Sequence, residues 1–244
     1  MIADYFDAGD LIAARGVVDE APHRLPIQRL LLVLHEGDWQ QAAQLTYAAL
    51  NDGTLMPNAE PWGAFAIRMG ARKSGDYRRA IAALEKKAGV TWSGNGIPTL
   101  PTQLGIATFS VALGDVLIAS GDRQQGEKLL RASLADMNHV IHDLKRGDLW
   151  YLDDQATALA LLGDRAGSLA TLRKAMSNGT VQIHWPIEID PAYSAIRGDP
   201  EFQAIVHAID RGRVRERHLL DQLRAAGRIP NRAPPAPPVN WTSQ

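Results

Sequence analysis

The first residues that could do chemistry in this chain of 244 residues are acidic and histidine side chains near its middle. Asp136, His139 and Asp143 are spaced i, i+3 and i+7, which places them on one face of a helix. Imidazole and carboxylate groups are ligands for divalent metals. The spacing is generic, however, and neither an HExxH motif nor a distant third ligand accompanies it. We therefore interpret this group, with His142, as a solvated helical face, and expect no metal and no cofactor.

Asp153 and Asp154 form a second acidic group, of the kind that can supply a catalytic acid and base. Consecutive helical positions point about 100° apart, so we do not expect the two carboxylates to share one substrate. The GxSxG, P-loop and GxGxxG motifs are absent. The chain has no cysteine, which excludes thiolate metal sites, cysteine nucleophiles and disulfides. The sequence therefore predicts a protein that is not an enzyme.

Charge and hydropathy narrow the classes of partner. The formal net charge is −1, which argues against a nucleic-acid-binding surface over the whole molecule. A basic cluster at 211–217 is interrupted by Glu216 and flanked by Asp210, which favours a solvated helix over a phosphate contact. No apolar segment approaches the roughly 20 residues of a membrane span, so we expect no membrane insertion. The N-terminus lacks the pattern of a signal peptide, which favours the cytoplasm, with the periplasm as the alternative.

The elements that position these residues are marked by a repeated Gly-Asp pair between two amphipathic segments. A glycine supplies the positive φ that ends one helix, and the following aspartate caps the next helix. A small residue four positions after the aspartate lets the two helices approach closely. These joints are Gly9-Asp10, Gly37-Asp38, Gly75-Asp76, Gly121-Asp122 and Gly163-Asp164, and the small residues are Ala14, Ala42, Ala80, Gly126 and Ser168. The pattern predicts stacked helix pairs.

Hydrophobic spacing sets the helix bounds around these joints. The first helices of the pairs are predicted at Leu25–Glu36, Pro61–Ser74, Ile106–Ser120 and Leu149–Leu162. The Gly- and Pro-rich residues 89–105 predict a long loop, which is either a spacer or a functional segment. Two short helices are predicted at Pro200–Gly212 and Val214–Ala226. The Pro-rich tail 228–244 is expected to be extended and disordered.

This pattern resembles the tetratricopeptide repeat. Gly75-Asp76-Tyr77-Arg78-Arg79-Ala80-Ile81 followed by Leu84 is close to the second-helix signature of that family, and Gly114 falls where the family has a small residue. The equivalent places in the other units hold Leu30, Arg68 and Ala156. The resemblance implies an all-α fold: a TPR-like right-handed superhelix of about five antiparallel helix pairs, an α-solenoid, with a short C-terminal helical cap.

The segment 190–203 is similar to a closing motif that follows such repeats in bacterial multidomain signalling proteins, including winged-helix regulators, cyclases and kinases. Five apolar residues in and after it could cover the open end of the stack: Tyr193, Ile196, Phe202, Ile205 and Val206. The predicted organisation is repeats at 1–180, capping helices at 181–227 and a tail at 228–244. Since only Met1–Ala8 precede the first joint, the chain is either a fragment of a larger regulator or begins with a degenerate cap.

In the register that the resemblance implies, one stripe of the first helices lines a concave groove. The predicted partner-binding residues are Trp62, Phe65, Met69, Arg72, Lys73, Asp115, Trp150 and Asp153. Aromatic and arginine residues are frequent anchors for peptides, although each aromatic residue could instead pack between helices. Arg72 and Lys73 suit a carboxylate, whereas Asp115 and Asp153 suit a basic partner.

Two functions follow from this groove. The leading hypothesis is a non-catalytic protein–protein interaction or scaffold module that binds a peptide or partner domain. The alternative is a C-terminal sensor or regulatory domain of a bacterial signalling or transcriptional regulator, which binds a small ligand in the groove or at residues 89–105.

Overall fold

The computed structural model describes residues 11–20, 26–101, 107–143, 149–177 and 187–229. Within these ranges the chain is all-α apart from one small β-hairpin. The helices are α1 (Leu11–Glu20), α2 (Pro26–His35), α3 (Trp39–Asn51), α4 (Glu60–Ser74), α5 (Tyr77–Ala88), α6 (Ala107–Ser120), α7 (Arg123–Asn138), α8 (Leu149–Leu161), α9 (Arg165–Ser177) and α10 (Pro200–Ala225). The predicted joint at Gly9 and the tail beyond residue 229 lie outside the described residues.

Four joints connect α2 to α3, α4 to α5, α6 to α7 and α8 to α9, as predicted. Each joint glycine has a positive φ, with 76° at Gly37, 76° at Gly75, 104° at Gly121 and 81° at Gly163. The aspartate that follows accepts a hydrogen bond from the amide three residues later, at 3.0 Å for Asp38, 3.3 Å for Asp76, 3.1 Å for Asp122 and 2.9 Å for Asp164. Glycine termination and aspartate capping therefore recur in all four joints.

The small residues after the joints lie at close contacts between helices. Ala42, Ala80 and Ser168 have no exposed surface. A Cβ atom on Gly126 would lie 2.6 Å from the carbonyl oxygen of Gly114, so no larger residue fits there without moving a backbone. This confirms the close approach that the repeated pattern predicts.

Successive pairs pack in chain order. The first helices α2, α4 and α6 each contact the next first helix, and α5 and α7 pack on both their own first helix and the following one. Buried apolar clusters follow the same order from α2 to α9. Because the first helices are neighbours, side chains on their shared inner side can meet across the units.

Residues 89–101 do not form the predicted long loop. Two strands, β1 (Thr91–Trp92) and β2 (Pro98–Thr99), pair antiparallel, with Thr91 opposite Thr99. The indole Nε1 of Trp92 donates a hydrogen bond of 3.0 Å to Glu85, which fastens the hairpin to α5. The alternation of turn-forming and β-forming residues is too short to be distinguished from a loop by sequence pattern.

The prediction of two short C-terminal helices is wrong, because α10 is one helix of 26 residues. Gly212 costs about 1 kcal/mol in a helix interior but does not break the hydrogen-bond ladder as proline would. The five residues predicted to cover the end of the stack are buried, at 0–6% exposed: Phe202 0%, Tyr193 2%, Ile205 4%, Ile196 5% and Val206 6%. Farther along α10, Leu220 belongs to the same buried apolar cluster as Ala13 and Ala14 of α1.

Candidate functional site

A pocket of about 110 Å³ lies on the inner side of the first helices, where α4, α6 and α8 meet the segment 187–193. Its apolar wall includes Trp62 and Phe65 from α4 and Val111 from α6. Its polar lining consists of Arg68, Thr108, Asp153, Asp154, Thr157, Asp190 and Tyr193. The pocket therefore combines aromatic surface with an unusual density of charged groups.

Arg68 is the centre of a buried charge cluster and is only 4% exposed. Its Nη2 donates to Asp190, and its Nε lies 3.7 Å from an oxygen of Asp115. Arg72, one turn later on α4, donates from Nε to Asp115 at 2.9 Å. Asp115 has no exposed surface. Two guanidinium groups thus neutralise two carboxylates, which is what burial of such charges requires.

The segment 187–193 is held across the inner face by contacts with several helices. Ile189 packs against the apolar cluster that contains Leu30 and Trp62. Asp190 accepts both from Arg68 and from the amide of Ala192, the latter at 2.9 Å. The hydroxyl of Tyr193 is 3.0 Å from that of Thr157 on α8, and burial raises the pKa of this tyrosine. The segment therefore closes one side of the pocket.

Asp153 and Asp154 on α8 both line the pocket, contrary to the expectation that their divergence separates them. Side chains about 100° apart each lie about 50° from the direction midway between them, so a cavity in that direction reaches both. Burial, and then the charge of Asp154, raises the pKa of Asp153 to about 7. Burial raises the pKa of Asp154 to about 6, opposed by a hydrogen bond from Thr108 and by the charge of Arg68.

The eight predicted groove residues fall in different environments. Trp62, Phe65 and Asp153 line the pocket, and Met69 is 7% exposed in the neighbouring core. Arg72 and Asp115, which were predicted to serve partners of opposite charge, bind each other. Lys73 is exposed. The side chain of Trp150 lies outside the described part of the chain.

Three charged residues of the site were not among the predicted groove residues: Arg68, Asp154 and Asp190. Arg68 occupies the place that holds Leu30, Gly114 and Ala156 in the other units. An arginine at this packed position needs a buried carboxylate, so it was a usable signal. Asp190 lies 122 residues away along the chain, and no local pattern indicates that pairing.

The group around His139 does not form a metal site in the described residues. His139 Nδ1 is 2.6 Å from an oxygen of Asp143, and both side chains are more than half exposed. Among the residues that the structure describes, no three or more His, Cys, Asp or Glu side chains are placed to hold a metal ion. The nearby helix ends in a single π-helical turn, His139–Asp143.

In the described residues the protein is helical apart from one β-hairpin, and it has a charged pocket where α4, α6 and α8 meet segment 187–193. Comparison with known proteins found no family model, no curated protein and no solved structure that matches the chain. Of the helices described, none is long and apolar enough to cross a membrane.

Proposed function

We propose that the chain is a non-catalytic sensor or regulatory domain that binds a small ligand in the pocket between α4, α6 and α8. Its helix pairs form a tetratricopeptide-like, right-handed superhelix, and the attached cap completes the pocket. The recurrence of glycine termination, aspartate capping and buried small residues in four pairs supports this architecture.

One observation carries the proposal: segment 187–193 of the chain itself occupies part of the inner face. Ile189 packs against the apolar cluster of α2, α3 and α4, Asp190 pairs with Arg68 on α4, and Tyr193 reaches Thr157 on α8. A peptide lying along the whole face would have to displace these contacts. A small ligand can instead enter the space that remains, which has the mixed apolar and polar lining typical of ligand sites.

A protein or peptide partner on the same face is the second proposal. It is favoured by Lys73, which is exposed at the end of α4 and makes no ion pair within the described residues. Such a partner would place a carboxylate at Lys73 and would compete with segment 187–193 for the face. The chain would then act as the scaffold module that the aromatic stripe predicts.

Ligand-dependent thermal stabilisation tests the first proposal. The intact chain is heated with compounds grouped as amines, amino acids, carboxylates, sugars and nucleosides. A ligand at 100 times its Kd stabilises the folded state by about 2.7 kcal/mol, which is readily measured as a rise in Tm.

Two tryptophan variants locate the effect. Trp62→Ala removes an aromatic wall of the pocket, whereas Trp92→Ala removes an indole in the hairpin, outside the pocket. We expect stabilisation by one compound class to be retained in Trp92→Ala and reduced at least about tenfold in affinity in folded Trp62→Ala, since it loses a large buried contact. If no class raises the Tm of the intact chain, the small-ligand proposal is wrong.

A further inference from the structure

The pocket carries more negative charge than its own cations neutralise. Arg72 pairs with Asp115 and Arg68 pairs with Asp190, as described above. Asp154 accepts a hydrogen bond of 2.5 Å from the hydroxyl of Thr108, which is uncharged. Asp153 makes no hydrogen bond or ion pair within the part of the chain that the structure describes. Two carboxylates therefore line an apolar cavity, and neither has a cation of its own.

The charge of Arg68 is matched within the site. Its Nη2 donates to Asp190 and its Nε lies 3.7 Å from Asp115, although this buried N–H has no hydrogen-bond acceptor among the described residues. An ammonium group only donates, so a bound amine would leave that N–H as it is. A carboxylate in a partly buried site without a counter-charge costs free energy. The case for a cation therefore rests on Asp153 and Asp154, which both line the cavity.

The apolar wall offers the complementary surface for an organic cation. Trp62 and Phe65 are aromatic and Val111 also lines the pocket, and the Arg68 guanidinium already lies 5.1 Å from the centroid of the Phe65 ring. The faces of aromatic rings attract ammonium groups, and their area accepts the hydrocarbon part of a ligand. A carboxylate-bearing ligand would meet the charges of Asp153 and Asp154 instead, which disfavours anions.

We propose that the ligand is a small primary amine with an apolar body, its ammonium group held by Asp153 and Asp154 and its apolar part against Trp62 and Phe65. This inference rests on the proposed small-ligand function and specifies its chemistry. The ammonium group supplies the charge that the two carboxylates lack. Neutral molecules of the same shape gain only the apolar contacts.

Three probes with the same ring and different head groups test the charge requirement: 2-phenylethylamine, 2-phenylethanol and 3-phenylpropionate. Binding to the intact chain is measured by isothermal titration calorimetry at pH 8. We expect the amine to bind at least about tenfold more tightly than the alcohol, and the carboxylate more weakly than both, since an ion pair in a partly desolvated site contributes more than one in water.

Matched variants assign the effect to the site. Asp153→Asn removes one carboxylate of the pocket with little change in shape, and Asp143→Asn makes the same change at an exposed aspartate outside it. We expect Asp153→Asn to lose at least about tenfold in amine affinity and Asp143→Asn to match the parent. Equal binding of amine and alcohol, or unchanged amine affinity in Asp153→Asn, would overturn the amine assignment.

The pH dependence is a further readout. Asp153 and Asp154 share the pocket lining with Arg68 from α4 and with Asp190 and Tyr193 from the closing segment. Because the pKa values of Asp153 and Asp154 are about 7 and about 6, both carboxylates gain charge between pH 5 and pH 8. Amine affinity should therefore rise at least about tenfold over that range. A flat profile contradicts the proposed contact.

The outcomes separate this inference from the function on which it rests. In one outcome, sugars, carboxylates or nucleosides stabilise the chain, this stabilisation requires Trp62, and none of the three phenyl-bearing probes binds. The small-ligand function then stands and the amine assignment is wrong. If no compound of any class binds, both are wrong.

Discussion

At the four described joints, each capping aspartate bonds an amide three residues ahead, whereas on the inner face Arg68 bonds Asp190, 122 residues away. The joints are exposed and repeat the same geometry. The inner cluster is buried and occurs once in the described residues. Loss of one joint contact should thus have a small and local effect, while loss of one charge from the cluster leaves others buried without a partner.

The largest effect is expected from Arg68→Met. The substitution leaves Asp190 without its arginine partner, and removal of one member of a buried ion pair costs about 3–5 kcal/mol. Arg131→Met is the matched control, because Arg131 is 65% exposed and its 3.5 Å contact with Glu127 is worth at most about 0.5 kcal/mol. Urea unfolding followed by circular dichroism measures both. Similar losses in the two variants would remove the distinction between cluster and surface.

Gly126→Ala tests the packing of a joint rather than its cap. The added Cβ would meet the Gly114 carbonyl oxygen at 2.6 Å and Ile118 at 2.7 Å, so we expect a loss of about 2–3 kcal/mol from overpacking. Gly16→Ala is the control, since a Cβ there meets nothing within 4 Å, and it should stabilise α1 by up to about 1 kcal/mol. In thermal unfolding, the Tm of Gly126→Ala should fall and the Tm of Gly16→Ala should rise.

Asp153→Asn should increase stability, but only at neutral to alkaline pH. The pKa of Asp153 is raised to about 7 in the folded state, so its protonated form stabilises the fold at low pH and that contribution is lost as pH rises through 7. Asparagine cannot ionise, so the variant should gain on the order of 2 kcal/mol over the parent at pH 8. The gain should fall toward zero near pH 4. Unfolding measured across this range checks the sign, and a gain that grows toward acid contradicts it.

The smallest effect is expected from Asp122→Ala, which removes one N-cap bond of 3.1 Å and should cost about 1 kcal/mol. Arg123→Ala at the adjacent exposed position keeps the cap and should cost no more than about 0.5 kcal/mol. Thermal unfolding compares the pair. If Asp122→Ala lowered the free energy of unfolding as much as Arg68→Met, the contribution of a joint contact would not be local.

The features that could be predicted from the sequence are those of the joints, whereas the long-range contacts of the inner cluster could not be predicted. The bounds of α4 and α8 were predicted within one residue, because Gly75 and Gly163 determine where each helix ends through neighbouring residues alone. Trp62, Phe65 and Asp153 were expected in a groove from the register that the family resemblance implies, and all three line the pocket. The pairing of Arg72 with Asp115 depends on how α4 packs on α6, and local spacing does not specify it.

The continuity of α10 was missed for a different reason. Gly212 and the exposed Val214 look like a boundary, since a glycine with polar neighbours commonly ends a helix. Leu220 shares a buried apolar cluster with α1, which supports the continuation, and packing between segments so far apart in the chain leaves no local sequence signal. Long-range packing overrode the local preference there.

That contact changes how the row of helix pairs should come apart. In an open row each terminal unit has a single neighbour, and fraying begins at the ends. Here α10 contributes Phe202 to the cluster of α8 and α9 and Leu220 to the cluster of α1. The first and last units of the described row therefore pack on the same helix. The amide hydrogens of α1 should therefore exchange with solvent about as slowly as those of the central helices. Thermal unfolding should therefore be a single cooperative event. Folding should be slowed, because the native structure requires contacts between distant parts of the chain.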